Sequence, residues 1–177
     1  MARDARRFGP RELRVLEGAV PLAQELTGQH YGLPDDWFDR TSHEVCTRRD
    51  LRPFEILGPG HLAQIRRVHR LPAGAGVHTV PCPRLRAHYR ICLQDHNLLG
   101  RLAADPALGL DDLLLLVLTH EYVHLVRFCR FDCPYEGWPV GREEEERRVH
   151  RVVGSIVRSG PRRLREAAER LFPAPEG

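Results

Sequence analysis

The feature that most constrains this chain is the apolar stretch Leu113-Leu114-Leu115-Leu116-Val117-Leu118-Thr119, which runs directly into His120-Glu121-Tyr122-Val123-His124. No Gly or Pro interrupts residues 111–128. Asp111 and Asp112 open the stretch with the acidic first turn that the helix dipole favours. The pattern predicts a buried helix over 111–128 carrying a metal-binding motif. Its apolar run is far too short to span a bilayer.

The motif carries its own chemical logic. Residues four apart on a helix share a face, so His120 and His124 can present both imidazoles to one ion. Imidazole suits zinc, and two histidines plus a third protein ligand leave one position open for water. Glu121 points to the same side of the ion, placed to take a proton from the bound water and pass it to a leaving amine. In a chain with 10 His, chance yields such a pattern with a probability of about 0.04. The bland alternative is a core helix with two partly buried histidines and a surface glutamate.

The third ligand has to come from elsewhere, and Glu143, Glu144, Glu145, Glu146 and His150 are the candidates. Four consecutive acids on a helix are ordinarily a solvated face. At about 100° per residue, the apolar stripe Val149, Val152, Val153 and Ile156 has Glu145 near its centre and Glu146 at its edge. Glu143 and Glu144 point away. A metal ligand belongs at the margin of the core, which favours Glu146, with Glu145 as the close alternative. His150 shares a face with Glu146 and reads as a residue orienting a ligand, a substitute ligand, or a surface histidine.

The rest of the chain supplies a scaffold. Leu13, Leu16, Val20 and Ala23 mark a helix over about 11–26, which Pro21 should break or kink. Asp35 or Asp36 can cap a short helix toward Arg48. From Arg52 to Leu98, short apolar stretches between turn clusters such as Gly58-Pro59-Gly60 suit a small sheet. Leu85–Leu93 is the clearest strand, with Leu85, Ala87, Tyr89, Ile91 and Leu93 on one face and Arg84, Arg86, His88, Arg90 and Cys92 on the other. A helix over about 142–157 and a short amphipathic one with Leu164, Ala167, Ala168 and Leu171 follow. The expected fold is α+β in one domain spanning 1–177: a small, mostly antiparallel sheet over the motif helix, with the glutamate helix packed behind it.

Composition excludes some classes. The net charge of +3 is carried on the basic side entirely by Arg. A balance this mild does not argue for nucleic acid, so the clusters Arg84/Arg86/Arg90 and Arg162/Arg163/Arg165 read as solvated faces before they read as contacts for nucleic acid or an acidic partner. The charged N-terminus lacks an apolar signal region, so a cytoplasmic location and no membrane association are expected. Five cysteines at irregular spacing do not form a secreted disulfide framework. Cys129 and Cys133 could be neighbours, though packed free thiols are the simpler reading.

The motif followed by an acidic helix about twenty residues on resembles the gluzincin branch of the zincin metallopeptidases, in particular minimal single-domain members. The resemblance covers roughly residues 84–156. It implies zinc held by His120, His124 and a glutamate of the next helix, with Glu121 as general base. It also implies an edge strand that holds a peptide or protein substrate by strand addition, a place that Leu85–Leu93 would fill. The chain departs from the family where Glu146 is followed by Arg147 rather than completing Asn-Glu-Ala. No motif fixes the transition-state residue either, which leaves Tyr135 and His150 as oxyanion stabilisers.

A metzincin is excluded, because no Gly-x-x-His follows His124 at that spacing. Peptide deformylase fits poorly: Gly58–Gln64 is one residue short of its glycine segment, Cys92 lies too close to His120, and Val123 stands where that family has Asp. Two functions follow. One is a zinc metallopeptidase, a hydrolase acting through a zinc-bound water with Glu121 as base. The alternative is a binding or regulatory protein on a zincin fold with a structural or vestigial zinc site.

Overall fold

The computed structural model describes residues 6–69, 87–130, 132 and 142–172. Within them the order is α1 (Pro10–Tyr31), α2 (Trp37–Arg40), β1 (His43–Cys46), β2 (Ala63–His69), β3 (Ala87–Leu93), α3 (Asp95–Ala104), α4 (Leu110–Cys129), α5 (Arg142–Val157) and α6 (Arg162–Leu171). The class is α+β, with six helices and a three-stranded mixed sheet among the described residues.

Helix α4 organises the rest. Every residue from Asp112 to Val126 is buried, as a helix apolar all round requires. Helix α1 packs along it through Leu16, Ala19 and Ala23, whose small alanines let the two backbones approach. Gln24 Nε2 then donates to the buried Tyr122 hydroxyl at 3.0 Å. Helices α5 and α6 cover another side, with β2 beside them.

Pro21 does not break α1. It sits on the exposed face, where the missing N–H leaves the Glu17 carbonyl to water rather than to the core. The helix ends instead at Gly32, in the left-handed conformation at φ 61°, which glycine adopts without steric cost.

The sheet departs from expectation twice. Its order is β1-β3-β2, with β2 antiparallel to β3 and β1 parallel to it, so it is mixed rather than mostly antiparallel. The connection over 47–62 turns the chain back, and β1 and β2 therefore run in opposed directions on opposite sides of β3. More consequentially, the strand expected to be a substrate-holding edge is the central one. Tyr89, Ile91 and Leu93 are buried on one face of β3, and His88 and Cys92 on the other. A strand hydrogen-bonded on both sides cannot accept another, and the edge next to α4 is β2.

Helix α3 begins within the stretch, Arg52 to Leu98, expected to form the sheet. Its first residue explains why local pattern did not reveal it. Asp95 is wholly buried, and its carboxylate accepts the backbone N–H of Phe8 at 2.9 Å and of Arg48 at 3.1 Å. It acts as a tertiary staple across nearly ninety residues of chain, by the separation between Phe8 and Asp95. No described helix is long and apolar enough to cross a membrane.

Candidate metal centre

Near its C-terminal end, α4 turns His120 and His124 to one side. Their Nε2 atoms lie 3.1 Å apart. From α5, Glu146 brings Oε2 to 3.2 Å from His120 Nε2 and 3.5 Å from His124 Nε2. Among the described residues this is the one group of three or more His, Cys, Asp or Glu side chains placed to hold a metal ion.

The spacing can be tested against an ion. Zinc–nitrogen and zinc–oxygen bonds of about 2.0–2.2 Å in a tetrahedron put neighbouring ligand atoms roughly 3.3–3.6 Å apart. The three separations, 3.1, 3.2 and 3.5 Å, lie close to that edge length. Protonation also suits a ligand set. Burial lowers the His120 pKa to about 4, which keeps the imidazole neutral. Burial alone would raise Glu146, but hydrogen bonds from His120 and His124 outweigh it and hold the carboxyl well below its usual range. A neutral imidazole and an ionised carboxylate are the forms that bind metals.

Glu145 does not join this cluster. Its carboxylate forms a two-pronged pair with Arg127, Nε to Oε1 at 2.5 Å and Nη2 to Oε2 at 2.9 Å. Both side chains are largely buried, at 13% and 7% exposed. A glutamate at the centre of an apolar stripe needs such a partner, and Arg127 supplies it from the motif helix, three residues beyond His124. With Glu145 gripped there, its neighbour Glu146 is turned about 100° around α5 toward the histidines. Glu143 and Glu144 are exposed.

Glu121 is buried beside the cluster, and the backbone N–H of Ile65 on β2 hydrogen-bonds to its carboxyl. Burial pushes its pKa up to about 7, against the lowering influence of His124, the Ile65 bond and Arg142. His150 lies one turn beyond Glu146, its ring 5.2 Å from that of His120, and burial lowers its pKa. Phe172, just past α6, stacks on the His120 ring at 5.3 Å and 16°. His120 Nδ1 is buried with no hydrogen-bond partner among the described residues.

All these groups face a cavity of about 530 Å³, walled by residues 60–65, Glu121, the cluster, Arg142, His150 and Phe172. The strand pairing orients its wall. Gln94 N–H donates to Leu62 O at 2.9 Å, so alternation points Gln64 and Arg66 main-chain groups at β3 and those of Ala63 and Ile65 away from it. The Ile65 bond to Glu121 agrees. Ala63 therefore presents main-chain N–H and C=O toward the cleft.

Sequence reasoning missed Arg127, Arg142, Phe172 and the β2 wall. Arg127 was the most accessible of these, lying seven residues after His120 and so on the same side of the motif helix. Tyr135 and Cys133 lie outside the described residues, as do Arg84 and Arg86. Arg90 is not on a solvated face. It is 15% exposed and bridges Glu44 at 2.5 Å and Glu55 at 3.2 Å. Arg162 pairs with Glu166 and Arg163 with Asp111. Cys46, Cys92 and Cys129 are free thiols. No family model matches this chain, and no curated protein or solved structure matches it either.

Proposed function

We propose that this protein is a zinc-dependent metallopeptidase with a zincin-like arrangement of motif helix, glutamate helix and edge strand. The observation that carries the reading is the meeting of His120, His124 and Glu146 beside a buried Glu121 in an open cavity. Among the described residues, three donors of the His₂Glu type face space for a substrate, and this supports a catalytic site over a structural one, which takes four protein ligands. Among the described residues the same count weighs against the alternative of a binding protein with a structural zinc.

When bound, zinc supplies Lewis acidity, polarising a carbonyl and acidifying a water. The chain's own residues do the remainder. Glu121 takes the proton of the attacking water and delivers it to the leaving amine nitrogen, a role that its buried place beside the cluster suits. The Ile65 N–H fixes the Glu121 carboxyl in place. Ala63 offers the main-chain groups that hold an extended peptide by strand addition, so β2 takes the role first given to β3. Of the two candidates for stabilising the oxyanion, His150 lines the cavity.

The test has two parts. Purified protein should contain one zinc per chain by plasma mass spectrometry, and that zinc should be lost from a His120→Ala/His124→Ala variant. Zinc-loaded protein should cleave unstructured peptides, and Glu121→Gln should lower the cleavage by about 10²–10⁴-fold while retaining the metal. Stoichiometric iron in place of zinc would refute the metal assignment, because two histidines and a carboxylate also suit non-haem iron. Full activity of Glu121→Gln would refute the mechanism.

A further inference from the structure

The cleft does not end at the metal cluster. A second cavity of about 240 Å³ lies between α5 and α6, and His150 and Phe172 line both it and the cleft. The Phe172 ring is 5.3 Å from the His120 ring and 4.7 Å from the His150 ring. The His150 and Phe172 rings, both packed near His120, therefore form the wall shared by the two cavities. Val157 and Ala168 give it an apolar floor. Arg158 and Arg165 line it too, both exposed, with one acid, Glu169. Arg165 Nη1 donates to the Arg158 carbonyl at 3.2 Å, which ties the guanidinium to the end of α5 and uses one of its five donors.

We propose that this cavity is a subsite that receives the side-chain carboxylate of an acidic residue, Asp or Glu, in a bound peptide. The inference rests on the peptidase reading and names its substrate class. Charge complementarity selects the occupant: two guanidinium groups against one carboxylate leave net positive charge in the lining, and the planar guanidinium fork matches a carboxylate. Size selects one side chain, since sites for drug-sized ligands run to roughly 300–1,000 Å³. Reach agrees as well. An extended peptide advances about 3.3 Å per residue, and Phe172, which lines both cavities, has its ring 5.3 Å from that of His120, so the wall of the second cavity lies within about two residues of the metal cluster.

The experiment uses full-length, zinc-loaded protein and acetylated, amidated decapeptides in which Ala, Glu or Lys is placed at each position in turn. Cleavage is read on the wild type, and binding is read by fluorescence anisotropy on Glu121→Gln. At one fixed position, Glu should exceed Ala by about tenfold in both readouts, with Lys below Ala. In Arg158→Gln/Arg165→Gln the Glu-to-Ala ratio should fall to about one. Both substitutions are exposed, and an unchanged melting temperature excludes a folding defect; Arg158→Ala/Arg165→Ala should lose the same ratio.

A parallel series ending in a free carboxylate separates sources. Selectivity confined to that series would assign the cavity to chain ends and overturn the proposal. Cleavage with no acidic preference would overturn it while leaving the peptidase reading intact. Acid-selective binding that the arginine variants abolish, without any cleavage by the wild type, would sustain the subsite and sink the peptidase.

Discussion

Removing the Arg127–Glu145 pair should damage metal binding through a residue that never touches the ion. The two side chains join α4 to α5 by two charge-assisted bonds with little solvent around them. Breaking a buried pair by deleting one partner strands the other charge and costs about 3–5 kcal/mol. Arg127 keeps some exposure, so about 3 kcal/mol is the working figure for Arg127→Met. For a chain of this size that corresponds to a fall of roughly 6–12 °C in melting temperature.

The more telling quantity is zinc affinity, measured by competition with a chromogenic chelator. Residues that orient ligands typically contribute 10–100-fold, so Arg127→Met and Glu145→Leu should each weaken zinc by more than about tenfold. The double variant Arg127→Met/Glu145→Leu separates the two effects. With both charges gone its stability should recover, because apolar replacement of a buried pair is often neutral or better. Its zinc affinity should stay low, because nothing then fixes the rotation of α5 that presents Glu146. Wild-type zinc affinity in the single variants would show that α5 is positioned by packing alone.

Three further outcomes follow from the same geometry. Glu121→Gln should lower peptide cleavage by about 10²–10⁴-fold, the span of general acid–base catalysis, with zinc stoichiometry unchanged by plasma mass spectrometry. In metal-free protein, two shifts oppose each other. His120, lowered from 6.5 to about 4, takes stability away as pH falls through that interval, whereas Glu121, raised from 4.5 to about 7, takes it away as pH rises. Urea midpoints should therefore change little between pH 4.5 and 6.5 and drop steeply below, where the unfolded chain takes up the proton that the depressed native Glu146 resists; a steep fall already between pH 6.5 and 5 would refute this balance. Burial raises the Cys46 and Cys92 thiols to about 11 and about 12, so site-resolved mass spectrometry should find both unmodified by iodoacetamide at pH 8 in the native protein and modified in urea.

What the sequence disclosed follows from the range of the forces involved. The periodicity of α4, α5 and α6 is local, and their buried stripes fall where spacing placed them, Val149 and Val153 on α5 and Leu164, Ala167 and Ala168 on α6. Pairing is not local. Strand β1 has four residues, and only its register with β3, from His43↔Tyr89 to Cys46↔Cys92, makes it a strand at all. The alternation of β3 suggested one wet face, yet His88 and Cys92 are as buried as Ile91, because β1 and β2 flank the strand and other elements cover both surfaces. The choice between Glu145 and Glu146 had the same character. Stripe geometry ranked Glu146 at the core margin, but what separates the two residues in the fold is Arg127, on another helix.

The burial of α4 along its whole middle has a consequence for how this site could change over time. The leucines that seat the motif helix hold their place by contact with α1, β2, α5 and α6. The histidines thus ride on a frame whose cohesion is hydrophobic, unlike small zinc domains whose fold is the work of the ion. Shape and site are separable in such a chain: His120, His124, Glu146, Glu121 or the cleft walls can be altered one at a time while the core persists, so a new site can be tried on an intact scaffold.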